Sequence, residues 1–389
     1  MPEDRPAHLP GYASDATKAA LLAAGASGTI YSLVMPESEA ALAHIVDGGN
    51  RDALLAESPA GGGLARLDEA RQTHYLSRYH EPWTQKQDVM HEDYFAHWLA
   101  WSAPIVNFEE QEFPFRYPTA GASEGIFKII AEHLAACGGR GQEPTVHVFD
   151  GEYEGFPAYA DALRIPTVRH DRAEWRRVPD AVGPGAMFWI SQPSAIDGAV
   201  WPDFEAFVAA MAESRPQVPV IPDLTYVGSV ARAFRIALDF PNIPAFVISH
   251  SKPFGGYYHR VGGVFARSEY PSLFGNKWFK NLQSLGWATE MMKRHDVFAL
   301  PRKYRAVQEE AAGRVGALLG VEGLAPADVL LLATAPAAAA TSEPLRVILR
   351  GSPAERVVRL CLTPAMTCLI DPALAPGTAP GLLAAWTAR

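Results

Sequence analysis

Short uninterrupted apolar runs recur through the middle of the chain, at 146–149, 186–190, 218–221, 245–248 and 261–266, and alternate with helix-like segments such as 124–136 and 203–213. A strand that is apolar on both sides of its pleat has both faces covered, so these runs predict a mostly parallel sheet inside an α/β layer. Residues 1 to about 85 are rich in Ala and Gly, with a helix predicted over 15–24 and a break at Ala60-Gly61-Gly62-Gly63. Beyond Gly286, a long helical stretch at 302–319 leads into two strand-like runs, 345–349 and 357–362, which predict a smaller α+β unit. The Ala run at 335–340, interrupted by Pro336, reads as a loop or weak helix without chemistry. The expected organisation is an N-terminal segment, 1–85, packing with the small domain, then a large domain, 86–286, and a small C-terminal domain, 287–389.

Composition narrows the class of molecule. A length of 389 residues suggests two or three domains. Hydrophobic residues at 48% against 20% charged, with 32 Gly and 32 Pro spread along the chain, exclude disordered, collagen-like and coiled-coil classes. Lys+Arg 34 against Asp+Glu 43 gives a net charge of -9, which repels phosphate backbones, so no nucleic-acid partner is expected. Cys137, Cys361 and Cys368 have neither metal-ligand spacing nor the number for a disulfide framework, so no metal is expected and a reducing, cytoplasmic setting is. Met1 to Tyr12 lacks a signal-peptide pattern and no window reaches ~20 apolar residues, so the expectation is a soluble chain with no membrane partner.

Three segments carry candidate chemistry. In Ser249-His250-Ser251-Lys252-Pro253-Phe254-Gly255-Gly256, a lone lysine follows an apolar run. A lysine in a partly apolar, cation-bearing pocket gives up its proton more readily, and its free amine can form an imine with an aldehyde. Arg260 and the hydroxyls of Ser249 and Ser251 suit a phosphate dianion beside that aldehyde; the alternative is a solvated loop lysine. In Val220-Ile221-Pro222-Asp223-Leu224-Thr225-Tyr226, an acid ends a strand-like run. A carboxylate buried there needs a cationic partner, such as a protonated pyridine nitrogen, with Tyr226 placed to hydrogen-bond a ring oxygen; the alternative is a helix cap or turn. In Tyr117-Pro118-Thr119-Ala120-Gly121-Ala122-Ser123-Glu124-Gly125, a small-residue turn opens a helix whose N-terminal N–H groups suit a phosphate, with Ser123 as donor or simply as cap.

In this order, the three segments resemble the fold-type I, aspartate-aminotransferase-like superfamily of pyridoxal 5'-phosphate (PLP) enzymes, over about residues 117–362. The resemblance implies a large domain with a mostly parallel central sheet plus a smaller α+β domain. It implies Lys252 as the Schiff-base lysine and proton shuttle, Asp223 on the pyridine nitrogen and Tyr226 on the ring oxygen. Gly121, Ala122, Ser123, Ser249, Arg260 and Ser251 would form the phosphate cup. Tyr153 falls where the family stacks an aromatic on the ring, although a core tyrosine at a strand end fits equally. Arg359 resembles the arginine that grips the substrate α-carboxylate, a role suited to its planar fork, with Arg350 and Arg356 as rivals. Tyr79 corresponds to a tyrosine that reaches a neighbouring subunit's phosphate, and the family implies a homodimer with shared active sites.

One departure bears on activity. In Gln192-Pro193-Ser194-Ala195-Ile196-Asp197-Gly198, Ala195 stands where the family places an asparagine that bonds the ring oxygen. An alanine side chain cannot donate, so the imine pKa is expected to rise and the substrate carboxylate to loosen unless Gln192 or Ser194 substitutes. The resemblance implies an enzyme acting on a small-molecule α-amino acid through an external aldimine and Cα deprotonation, with transamination expected. The alternative is β/γ-elimination or replacement, including use of S-adenosylmethionine, toward which Ala195, His250, Tyr257, Tyr258 and His259 lean. A DNA-binding regulator on this fold is disfavoured, because residues 1–85 show no basic helix-turn-helix pattern.

Overall fold

All five apolar runs become buried strands of one seven-stranded sheet in the computed structural model, which describes residues 14–33, 35–47, 88–278 and 281–370. The strands are β1 (Phe115–Thr119), β2 (Thr145–Phe149), β3 (Thr167–His170), β4 (Ala186–Ser191), β5 (Val220–Asp223), β6 (Ala245–Ser249) and β7 (Gly262–Ala266). Their order is β1-β7-β6-β5-β4-β2-β3, and β7 alone runs against its neighbours. The expected mostly parallel α/β sheet is therefore present.

Alternation along each strand feeds two apolar layers, as a period-2 pleat requires. Met187 and Trp189 pack with Ile126, Ile129, Val146 and Val148 on one face. Phe188 and Ile190 pack with Phe149, Phe207, Val220 and Phe246 on the other. Helix α4 (Ala122–Arg140) and helix α5 (Gly155–Ala162) supply the first layer, and helix α6 (Phe204–Ser214) supplies Phe207 to the second. Helix α3 (Asp88–Ser102) adds Tyr94, Phe95, Trp98 and Trp101 to that second layer.

Two strands left no apolar signal for physical reasons. β1 contains Pro118 and lies at the sheet edge, where a missing N–H is tolerated. β3 is the opposite edge, and its Thr167-Val168-Arg169-His170 is partly exposed.

A second, four-stranded sheet is built from β8 (Ala325–Pro326), β9 (Leu332–Pro336), β10 (Leu349–Arg350) and β11 (Val357–Cys361), in the order β8-β9-β11-β10. The run at 345–349 does not form the expected strand. Glu343–Val347 is a short helix, compatible with Pro344 because that residue falls in the first turn, where the missing N–H costs nothing. The Ala run is also corrected, since Ala335 and Pro336 finish β9 and only Ala337–Ala339 forms a single 3-10 turn.

Gly25 and Ser27 are hydrogen-bonded to this second sheet and the helix after it. Ser27 and Cys361 exchange backbone hydrogen bonds of 3.0 and 2.8 Å, and the Ala365 N–H donates to Gly25 O. Helix α2 (Pro36–Asp47) lies against helix α7 (Leu282–Arg294), which also packs on α3. No helix among the described residues is long and apolar enough to cross a membrane.

Candidate active site

In a parallel sheet, the loops that leave the strands' carboxyl ends gather on one edge, and crevices form there. A cavity of about 260 Å³ lies at that edge, with Lys252, Asp223, Tyr226, Arg260, Ser123 and Tyr153 among its lining residues. Lys252 comes from the loop that leaves β6, the strand beside the one that ends in Asp223. Its Nζ donates to Ile30 O at 2.7 Å. Burial lowers its pKa to about 8, with the Arg260 and Arg359 charges adding to the effect and Cys361 and Glu154 opposing it. The solvated-loop alternative fails.

Asp223 closes β5, and its Oδ1 accepts from the Thr225 N–H at 2.9 Å and from Thr225 Oγ1 at 2.5 Å. This turn role is real, but it leaves the carboxylate with no cation among the described ion pairs. Burial outweighs the two Thr225 bonds and raises its pKa to about 6. Tyr226 is buried on the same wall, and its phenol is pushed up chiefly by burial.

The small-residue turn opens α4 with Gly121 in the N-cap position at φ +84°, so Ser123 sits inside the first turn and is not the cap. A Cβ at Gly121 would lie 3.0 Å from Arg260 Nη2, which itself donates to Ala120 O at 2.9 Å. Glycine is needed here both for the left-handed backbone and for the close approach of the guanidinium. Ala122, Ser123, Ser249, Ser251 and Arg260 line the cavity, whereas Gly121 is not part of its lining. Ser249 and Ser251 share a hydroxyl hydrogen bond of 3.0 Å.

Tyr153 is half-buried between the core and the cavity. Its ring meets Phe156 edge-on at 5.4 Å and also lines the cavity. Burial pushes its phenol up, partly offset by a hydrogen bond with Ser123.

Ala195 lines the cavity as well, held by its N–H to Ser191 Oγ at 2.7 Å. Neither suggested substitute for the family's asparagine lines the cavity. Gln192 spends its amide on Trp201, with Nε2 on the carbonyl and Oε1 on the N–H. Ser194 Oγ accepts from Arg172 Nη1 at 3.0 Å and from the Ile196 N–H at 3.1 Å.

Arg359 is buried beside this wall but does not itself line the cavity. Its Nη1 donates to Ala195 O and its Nη2 to Gly28 O, the latter at 3.3 Å. Of its rivals, Arg356 is exposed, and Arg350 is buried with Nη1 on Glu154. Tyr79 lies outside the described residues.

Three contributors carry no local sequence signal of their role. Ile30 O reaches Lys252 across 222 positions, a distance no local pattern encodes. Glu152 and Glu154 flank Tyr153. Glu152 is buried and accepts from Ser191 Oγ at 2.5 Å, from the Ser191 N–H and from the Tyr153 N–H, and burial raises its pKa to about 7. Through Ser191 it ties the Tyr153 turn to the Ala195 loop.

No family model matches the chain, and no curated protein matches it. Solved structures do. A PLP-bound C-S lyase from Staphylococcus hominis aligns at TM-score 0.55 and 14% identity, covering 74% of this chain and 82% of that one. An Escherichia coli protein described with a methionine aminotransferase function aligns at 0.51 and 16%, covering 72% and 88%. Thermus thermophilus aspartate aminotransferase with maleate aligns at 0.53 and 13%, covering 73% and 81%. These likenesses show the fold, which is the aspartate-aminotransferase-like fold type I.

Proposed function

We propose that this fold-type I chain is a PLP-dependent enzyme acting on an α-amino acid, with transamination as its reaction. The observation that carries the proposal is the shared cavity. One wall offers a buried amine of lowered pKa, another a buried carboxylate with no cation among the described ion pairs, and a third a helix N-terminus beside an arginine. That set fits an aldehyde, a pyridine nitrogen and a phosphate dianion in turn. When bound, PLP supplies an electron sink for negative charge that develops at an amino acid's Cα.

The chain's own residues do the rest. With a pKa of about 8, roughly a quarter of Lys252 is un-ionised at pH 7.5, against about a thousandth for an ordinary lysine. That fraction makes Nζ a nucleophile toward an aldehyde and, once released, a base for the Cα proton. Asp223 neutralises a positive ring nitrogen, and this also removes the cost of its own burial. Tyr226 donates to the ring oxygen without help from Ala195. Arg260, Ser123 and the first N–H groups of α4 hold the phosphate. Arg359 is the proposed grip on the α-carboxylate, for which its guanidinium would exchange Ala195 O or Gly28 O for the substrate.

A second reading, elimination or replacement at a β or γ carbon, draws support from Ala195 and from the engagement of Gln192 and Ser194 elsewhere. The two reactions part after the Cα proton is removed: in transamination Lys252 would deliver it to a carbon of the cofactor instead of back to Cα, and in elimination or replacement a β or γ substituent would depart with its bonding electrons.

Two measurements test the proposal. The protein reconstituted with PLP is expected to absorb in the visible range, and Lys252→Ala to lose that band; a colourless wild type refutes the cofactor. Incubation with a panel of amino acids including S-adenosylmethionine is then expected to give keto acid and pyridoxamine phosphate in equal amounts, whereas a released leaving group favours the second reading. A homodimer with shared sites belongs to the same proposal, and a light-scattering monomer that still turns over substrate contradicts it.

A further inference from the structure

One charged side chain on the cavity wall, Glu154, is given no role by the proposed cofactor grip. Glu154 precedes helix α5 but caps none of its N–H groups. Among the described residues, its one side-chain hydrogen bond from another residue is from Arg350 Nη1 to Oε2, at 3.4 Å. Burial opposes its ionisation, but Arg350 and Arg359 outweigh burial and hold the carboxyl below its usual range. The acid is therefore a carboxylate that pairs with the buried Arg350 at 3.4 Å and keeps acceptor capacity beyond that one bond.

The partner that faces the cavity decides which charge a ligand meets. Glu154 lines it and its side chain is 29% exposed, whereas Arg350 lies behind at 2% and does not line it. If Arg260, Asp223 and Lys252 serve the cofactor and Arg359 the α-carboxylate, Glu154 is the charge left to face the substrate's side chain. Thr29, Ile30 and Ala195 also line the cavity, and among the described residues Glu154 is the one acid in that lining besides Asp223. An apolar side chain placed there strips water from the carboxylate and returns nothing, while a cation replaces the lost water with a charge-assisted hydrogen bond.

We infer that Glu154 is a specificity-determining residue that selects α-amino acids with a positively charged side-chain end. This inference rests on the cofactor reading above. It is tested on the full-length holoenzyme by following the cofactor's visible band while titrating matched pairs: L-arginine against L-citrulline, and L-lysine against L-norleucine. The wild type is expected to bind the charged member of each pair at least tenfold more tightly. Glu154→Gln is expected to keep the visible band and bring both ratios close to one, while Glu154→Asp keeps a preference for the charged member.

A coloured wild type that ignores basic amino acids, binds both members equally or keeps its preference in Glu154→Gln overturns the inference and leaves the cofactor reading standing. So does a Glu154→Gln variant that loses kcat equally on every substrate with KM unchanged, since that marks a catalytic group. A wild type that never takes up the cofactor overturns both.

Discussion

Replacing Asp223 with Asn separates a residue kept for a ligand from one kept for the fold, because the two roles predict opposite signs. In the chain without cofactor, burial holds the Asp223 carboxyl at about 6 instead of 3.8. At about 1.4 kcal/mol per pH unit, its ionisation costs the folded state about 3 kcal/mol. For a group whose pKa is raised on folding, the stabilisation is complete below the unfolded value and is lost as pH rises through the folded one, so the loss falls between pH 3.8 and about 6. Asn keeps an acceptor for the Thr225 N–H and hydroxyl, though a neutral one, which gives back about 1 kcal/mol. Urea denaturation of the apo proteins at pH 7.5 should therefore show Asp223→Asn more stable than wild type by about 2 kcal/mol, and no more stable near pH 4. The pH dependence that Glu152 contributes cancels, since both proteins carry it. In the holo proteins the order should reverse, with PLP bound at least tenfold more weakly by the variant, because the ring nitrogen loses its counter-charge. A variant that is less stable than wild type in the apo form at both pH values refutes the reasoning, and so does one that binds PLP equally well.

The same geometry makes three further outcomes measurable. The rate at which apo protein captures PLP should rise about tenfold per pH unit and level off near pH 8, where Lys252 loses its proton; a rise that continues to pH 10 contradicts the lowered pKa. Gly121→Ala forces an L side chain into a φ of +84° and against Arg260, so its affinity should fall at least tenfold for PLP and little for unphosphorylated pyridoxal in absorbance titrations; equal losses would point to misfolding. Ser191→Ala removes the hydroxyl that joins Glu152 to the Ala195 N–H and should cost about 2 kcal/mol in calorimetric stability, an effect absent if the link is incidental.

The apolar runs announced the parallel sheet because strands covered on both faces must be apolar at successive positions, whereas edge strands such as β3 need not be. Lys252, Asp223 and the Gly121 turn were legible because each is an unusual residue at a strand end or helix start, where backbone geometry alone gives it a place. Their meeting in one cavity was not legible, nor was the burial that moves Lys252 and Asp223 in opposite directions, because desolvation depends on everything packed around a group. The carbonyl of Ile30 on Lys252, the engagement of Gln192 and Ser194 elsewhere, and the exposure of Glu154 in front of Arg350 are contacts between segments 9 to 222 positions apart. Residue types and local spacing determined which side chains were available and which elements carried them. The long-range packing alone decided which donors were already spent, which charges were left facing the cavity, and so which chemistry that cavity is able to hold.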